Sequence, residues 1–169
     1  NAGISYNKKD GIFTQSKCNI LSREKDNAGF YIFVENNKDD IQSLVNMITL
    51  KDEETVTIFG EWCGGNIQPS VGISNLEKMF VIFNLMITRE DNTYYFIDES
   101  ILKSNNKHIH NVNDFENYSM DINFQQARLF SNQLNDITSE VEKECPVAKQ
   151  LNAEGFGEGV VWSIIIKGL

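Results

Sequence analysis

Three short segments carry residues able to do chemistry, and they follow one another in a fixed order. Phe59-Gly60-Glu61-Trp62-Cys63-Gly64-Gly65-Asn66-Ile67-Gln68 comes first, Phe80-Val81-Ile82-Phe83 second, and Gly157-Glu158-Gly159-Val160-Val161-Trp162 near the end. Side chains alternate along an extended chain, so Phe59, Glu61 and Cys63 point one way and Gly60 and Trp62 the other. A glutamate between apolar neighbours on a buried face is desolvated and needs a hydroxyl, a cation or a metal as partner. On an exposed edge strand it needs none, and that is the alternative reading of Glu61. Gly64 and Gly65 permit a tight turn just after it. Glu158 shares a face with Val160 and Trp162, and Gly155, Gly157 and Gly159 clear side chains from around it. A carboxylate so placed suits Mg²⁺, a hard cation that takes oxygen ligands; a glycine-rich turn leading into a core strand is the alternative. Phe83, read on one face with Val81, Leu85 and Ile87, offers a ring for stacking on a purine, worth roughly 1 kcal/mol beyond buried area. A plain core phenylalanine is the competing reading. His108 and His110 would face one way in a strand and could bind a metal, but no third ligand stands near them and the asparagines around them read as an exposed loop.

The elements that must position these groups are legible as patterns. Gly3 to Tyr6 and Ile12 to Gln15 read as strands around a turn ending in Asp10-Gly11, a strong hairpin signal. Ile41, Leu44, Val45 and Ile48 fall at i, i+3, i+4 and i+7, which predicts a helix over 39–50, with Asp39 and Asp40 in the first turn where the helix dipole favours negative charge. Thr55 to Trp62 reads as a strand, and Lys78 to Thr88 as a long one that is apolar on both faces, as in a buried central strand. Tyr94 to Ile97 can pair with it across Glu90-Asp91-Asn92. Residues 99–117 are polar and weakly patterned, hence loop or edge. A helical segment is expected over 124–144, in one or two pieces, with Ser139 and Glu142 at capping-box spacing for the second. Pro146 stops it or starts a short new turn, and Gly157 to Ile166 reads as the last strand. Strands and helices do not alternate regularly, so the expected class is α+β with mainly antiparallel sheets.

Length and composition bound the rest. At 169 residues, 41% hydrophobic and 23% charged, the chain is about one domain with room for a core. The apolar run from Met79 to Ile87 is too short to span a bilayer and no signal pattern opens the chain. A cytoplasmic protein without a membrane role is the default expectation. Cys18, Cys63 and Cys145 are odd in number and widely spaced, which points to reduced thiols. The net charge of −9 argues against a nucleic-acid surface over the whole domain and leaves room only for a local basic groove.

Taken in order, the motifs resemble the adenylate-forming domain of ATP-dependent RNA ligases, in the branch that includes the phage-type ligase 2 enzymes. The resemblance covers nearly the whole chain. Asn1 matches the closing asparagine of that family's Lys-x-His-Gly-x-Asn motif, Thr14-Gln15-Ser16-Lys17 its next motif, and Asp26-Asn27-Ala28-Gly29-Phe30 the segment that follows. Glu61, Phe83 and Glu158 fall on its third, third-a and fourth motifs, and Glu144-Cys145-Pro146 is typical of the branch. The family usually has arginine where this chain has Lys17 and aspartate where it has Asn84.

The resemblance implies a covalent nucleotidyltransferase fold with sheets and helices around an ATP groove, and ATP and Mg²⁺ as cofactors. Glu61 would accept from the ribose hydroxyls, Phe83 would stack on adenine and Glu158 would help hold the metal. Lys17 would contact phosphate, and Asn1 would support the RNA-dependent steps. The partners would be RNA 5′-phosphate and 3′-hydroxyl ends, as in RNA repair, with a further C-terminal domain possible. The nucleophilic lysine motif is absent from the sequence, as is the lysine pair beyond the fourth motif, because Lys167 stands too close to Glu158 to belong to it. The whole of 1–169 is therefore expected to be a ligase core, inactive alone. A non-catalytic domain that binds nucleotide or RNA, and an unrelated α+β interaction domain, are the competing expectations.

Overall fold

The computed structural model describes residues 1–163. Strands β1 (Ala2–Asn7) and β2 (Gly11–Ser16) form the expected hairpin. Gly11 takes the positive φ of 73° that the turn requires, and the Asn7 side chain accepts from the backbone N–H groups of Lys9 and Asp10. Helices α1 (Phe30–Asn36) and α2 (Lys38–Val45) follow, then β3 (Thr55–Cys63), β4 (Met79–Thr88) and β5 (Tyr94–Ile97). A short strand β6 (Ile109–Asn111) precedes α3 (Ala127–Lys143) and α4 (Pro146–Gln150). The strands make one mixed sheet in the order β2-β1-β3-β4-β5, with β6 also paired to β4. Every ladder is antiparallel except the parallel β4–β6 pair. The class is α+β, a mixed sheet flanked by helices.

One face of the sheet is the core. Ala2, Ile4, Val56, Ile58, Trp62, Phe80, Ile82, Leu85 and Ile87 point to it and meet Phe30, Val34, Ile41 and Leu44 from α1 and α2. Burial of each such aliphatic side chain stabilises by about 1.5–3 kcal/mol. An aromatic cluster anchors the middle. Phe30 lies 5.4 Å from Trp62 and 5.2 Å from Phe80, and Phe33 lies 4.8 Å from Trp62 between ring centroids. The Trp62 indole donates to the Ala28 carbonyl at 3.1 Å, and the Lys78 ammonium donates to the same oxygen at 2.7 Å.

Several expectations change. Helix α1 has no sequence signal because nearly every position is apolar. It is set by entry through Gly29 at φ 87° and by Asp26, whose carboxylate accepts from Tyr31 N–H at 2.7 Å. Strand β4 is central but buried on one face only. A bulge between Phe59/Gly60 of β3 and the Phe83–Asn84 stretch of β4 shifts the register. It reverses the parity, so Leu85 and Ile87 join the core and Phe83 does not share their face. Helix α3 runs unbroken past Ser139 with no cap there, since helix propagation is easier than a new nucleus. Pro146 occupies the first turn of α4. Gly157 to Ser163 is not in a strand; the rest of the expected last strand, and Lys167, lie outside the described residues.

The close approach of Phe80 to β3 depends on Gly60. A Cβ there would stand 2.4 Å from a Phe80 ring carbon and 2.7 Å from the Val81 carbonyl oxygen, which is backbone and cannot step aside. Gly60→Ala is expected to destabilise the fold by about 1–3 kcal/mol through overpacking, read as a lowered urea midpoint at unchanged slope.

Candidate functional site

The face of the sheet away from α1 and α2 holds the residues singled out by type and spacing. Antiparallel partners share a face. Because Gly60 and Trp62 face the core, Glu61 must face away, and its partner Val81 with it. Phe83 stands two residues beyond Val81 and is 39% exposed, while Ile82 and Leu85 on either side are fully buried. The bulge therefore presents the Phe83 ring on the open face, together with Asn84. The Asn84 side chain accepts from its neighbour Leu85 N–H at 2.8 Å, satisfying a donor at the irregular point of the ladder.

The register carries the row further. Ala2 pairs with both Ser16 and Gly60, so Asn1 stands beside Glu61, while the exposed Lys17 follows β2 in a bend. On the other side Val81 pairs with His110 of β6, whose ring sits 5.4 Å from that of Phe115. Asn1, Glu61, Val81 and His110 thus follow one another across β1, β3, β4 and β6, with Phe83 beside Val81. Sequence reasoning treated His110 only as half of a metal pair; its place in this row follows from the parallel β4–β6 pairing, which leaves no local signature. His108 is instead drawn to Glu77, 3.8 Å away.

Glu158 reaches the same end of β3 from far along the chain. Both of its carboxylate oxygens lie near the Gln68 amide nitrogen, at 3.0 and 2.9 Å. Its segment is seated by glycines. Gly72 N–H donates to Phe156 O at 2.8 Å, Cys145 N–H to Gly155 O at 2.9 Å, and Gly157 N–H to Val141 O at 3.1 Å. A Cβ on Gly157 would stand 2.4 Å from that Val141 oxygen. Cys63, two residues past Glu61 on the same face, reports the convergence. Burial pushes its thiol up to about 12, and negative charge at Glu61, Cys145 and Glu158 adds to the shift. Among the described residues no three His, Cys, Asp or Glu side chains surround a common metal position. A single carboxylate of this kind suits Mg²⁺, which commonly takes one or two carboxylates and completes its shell with water and substrate phosphates. One cavity is lined by Tyr118, Glu140, Glu144 and Pro146 at α3–α4, and another by residues 35–40 where α1 meets α2.

The open face, then, offers an acceptor at Glu61 and a ring at Phe83, with the Glu158 carboxylate near the end of β3. Comparison with protein-family models gives a match to RNA ligase over residues 1–164. Comparison with curated proteins gives no match. Among the described residues no helix is long and apolar enough to cross a membrane.

The raised Cys63 pKa keeps it a thiol throughout the range pH 7–9, and only thiolate alkylates. Iodoacetamide at pH 8.5 is expected to label the exposed Cys18 in the folded protein and Cys63 only after urea unfolding, read by peptide mass spectrometry. Labelling of Cys63 in the folded protein would contradict the packing at the end of β3.

Proposed function

This chain belongs to the RNA ligase family, and we propose that it is the adenylate-binding core of an ATP-dependent RNA ligase. The observation that carries the proposal is the common open face shared by Glu61 and Phe83, with Glu158 held at its edge through Gln68. A carboxylate acceptor two residues from the line of an exposed aromatic ring matches what a nucleoside needs, hydroxyl groups at one end and a flat base at the other.

In this reading the amine of a ligase lysine attacks the α-phosphorus of ATP. The amine must be neutral to act as a nucleophile. A P–N bond forms, the bond to the β-phosphate oxygen breaks, and pyrophosphate leaves. An oxygen of an RNA 5′-phosphate then displaces the lysine to give an RNA capped by AMP through a P–O–P link. Finally a 3′-hydroxyl, losing its proton, attacks the RNA phosphorus and AMP departs, leaving the phosphodiester. Glu61 holds the ribose hydroxyls, Phe83 stacks on adenine, Lys17 contacts phosphate, and Asn1 supports the RNA-dependent steps. Glu158 would hold Mg²⁺, which when bound neutralises charge on the phosphate oxygens. The net charge of −9 favours a second reading, a ligase-like domain that binds nucleotide without turnover.

Intact mass measurement of the full-length protein with ATP and Mg²⁺ separates the two. The expected result is a gain of one AMP that pyrophosphate removes; a folded protein that binds ATP and gains no mass would establish the second reading. In the same protein Phe83→Ala is expected to weaken ATP binding about fivefold, the equivalent of ~1 kcal/mol of stacking, measured by calorimetry.

A further inference from the structure

We infer that Gln68 is a positioning residue for Glu158: its side-chain amide fixes that carboxylate at the edge of the nucleotide site while leaving the negative charge free for a divalent cation. The inference rests on the reading of Glu158 given above.

The Gln68 side has a firm base. Gly65 N–H donates to Leu76 O at 2.7 Å, Asn66 N–H to Ser74 O at 2.8 Å, and Ile67 N–H to Gly64 O at 3.0 Å. These bonds close the 64–76 loop on itself, and Ile67 packs it against the core. The Glu158 side is different. Among the described residues the last backbone hydrogen bond before it is made by Gly157, and none is made by residues 158–163. Gly159 follows at φ 139° with open space around its α-carbon. Among the described residues the Glu158 carboxylate is held by the Gln68 amide, 90 residues away in the loop that follows β3.

The choice of amide matters. A lysine at position 68 would hold the carboxylate as a salt bridge and cancel its charge. An amide donates to the same oxygens and is neutral, so the full charge remains for a metal ion. Partners that orient a metal-binding carboxylate without touching the metal are worth about 10–100-fold in metal affinity.

The test uses the full-length protein carrying Gln68→Leu, Gln68→Glu or Glu158→Gln. Two quantities are read: the Mg²⁺ concentration giving half-maximal adenylylation, and amide hydrogen exchange over residues 157–161 of the metal-free protein. Gln68→Leu is expected to raise the Mg²⁺ requirement roughly tenfold or more, to leave the rate at saturating Mg²⁺ within about a factor of three of the parent, and to speed exchange of the segment. Gln68→Glu keeps the size, replaces attraction by repulsion, and is expected to do the same more strongly. The unfolding temperature of each variant identifies any that fails to fold, and the other then carries the test. If Glu158→Gln abolishes the Mg²⁺ response while both Gln68 variants behave as the parent, the positioning role is overturned and the nucleotide-site reading stands. If Glu158→Gln leaves the Mg²⁺ response unchanged, the metal part falls together with that reading, and unchanged exchange in Gln68→Leu would remove the contact as well.

Discussion

The arrangement depends on one packing contact, the Phe80 ring set over Gly60 and flanked by Phe30 and Trp62. Pleating allows a strand only two faces, and a shift by one residue exchanges them. Once Gly60 and Trp62 are committed to the core, Glu61 and Cys63 have no choice of side. Once Phe80 and Ile82 are committed, Val81 follows Glu61. The energy that sorts the faces comes from large apolar rings leaving water, and the polar groups are carried to the open face as a consequence. Nothing in Glu61 itself directs it there.

The bulge in β4 modifies this simple alternation at one point. Without it, Phe83 would share a face with Leu85 and Ile87 and would be buried with them. An extra residue in the ladder lets the strand keep a core face on both sides of the irregularity and still present one aromatic ring outward. The Asn84 side chain takes up the Leu85 N–H that a regular ladder would pair.

The C-terminal part of the chain is joined by different means. Helix α3 buries only Val141 of its side chains, so apolar burial contributes little to its placement. Glycine backbone contacts do more. Gly72 and Gly155 approach so closely that a Cβ on Gly155 would meet the Gly72 α-carbon at 2.7 Å, and hydrogen bonds at Gly72, Cys145 and Gly157 seat the segment before Glu158. Close backbone approach of this kind needs the missing side chain of glycine, which gives Gly155 and Gly157 a structural role beyond loosening a turn.

Much of this was legible in the sequence. The Asp10-Gly11 hairpin, the stripe Ile41, Leu44, Val45 and Ile48, the strands around Glu61 and Phe83, and the long helix before Pro146 all follow local rules of spacing and backbone preference. So did the chemical candidates, because a glutamate between aromatic and sulfur neighbours beside paired glycines is an unusual string. Local rules did not give α1, whose apolar residues have no polar counterpart to mark a period. They did not give the strand parity beyond Phe83, because a bulge is a property of two strands together. Nor did they give His110 its place in the row, or Glu158 its contact with Gln68, since both join residues far apart in the chain. The sequence by itself determined which residue types were available and which segments were extended or helical, through interactions within a few positions. The tertiary structure alone decided which face each strand buries and which distant side chains meet, because those depend on packing between elements and on register.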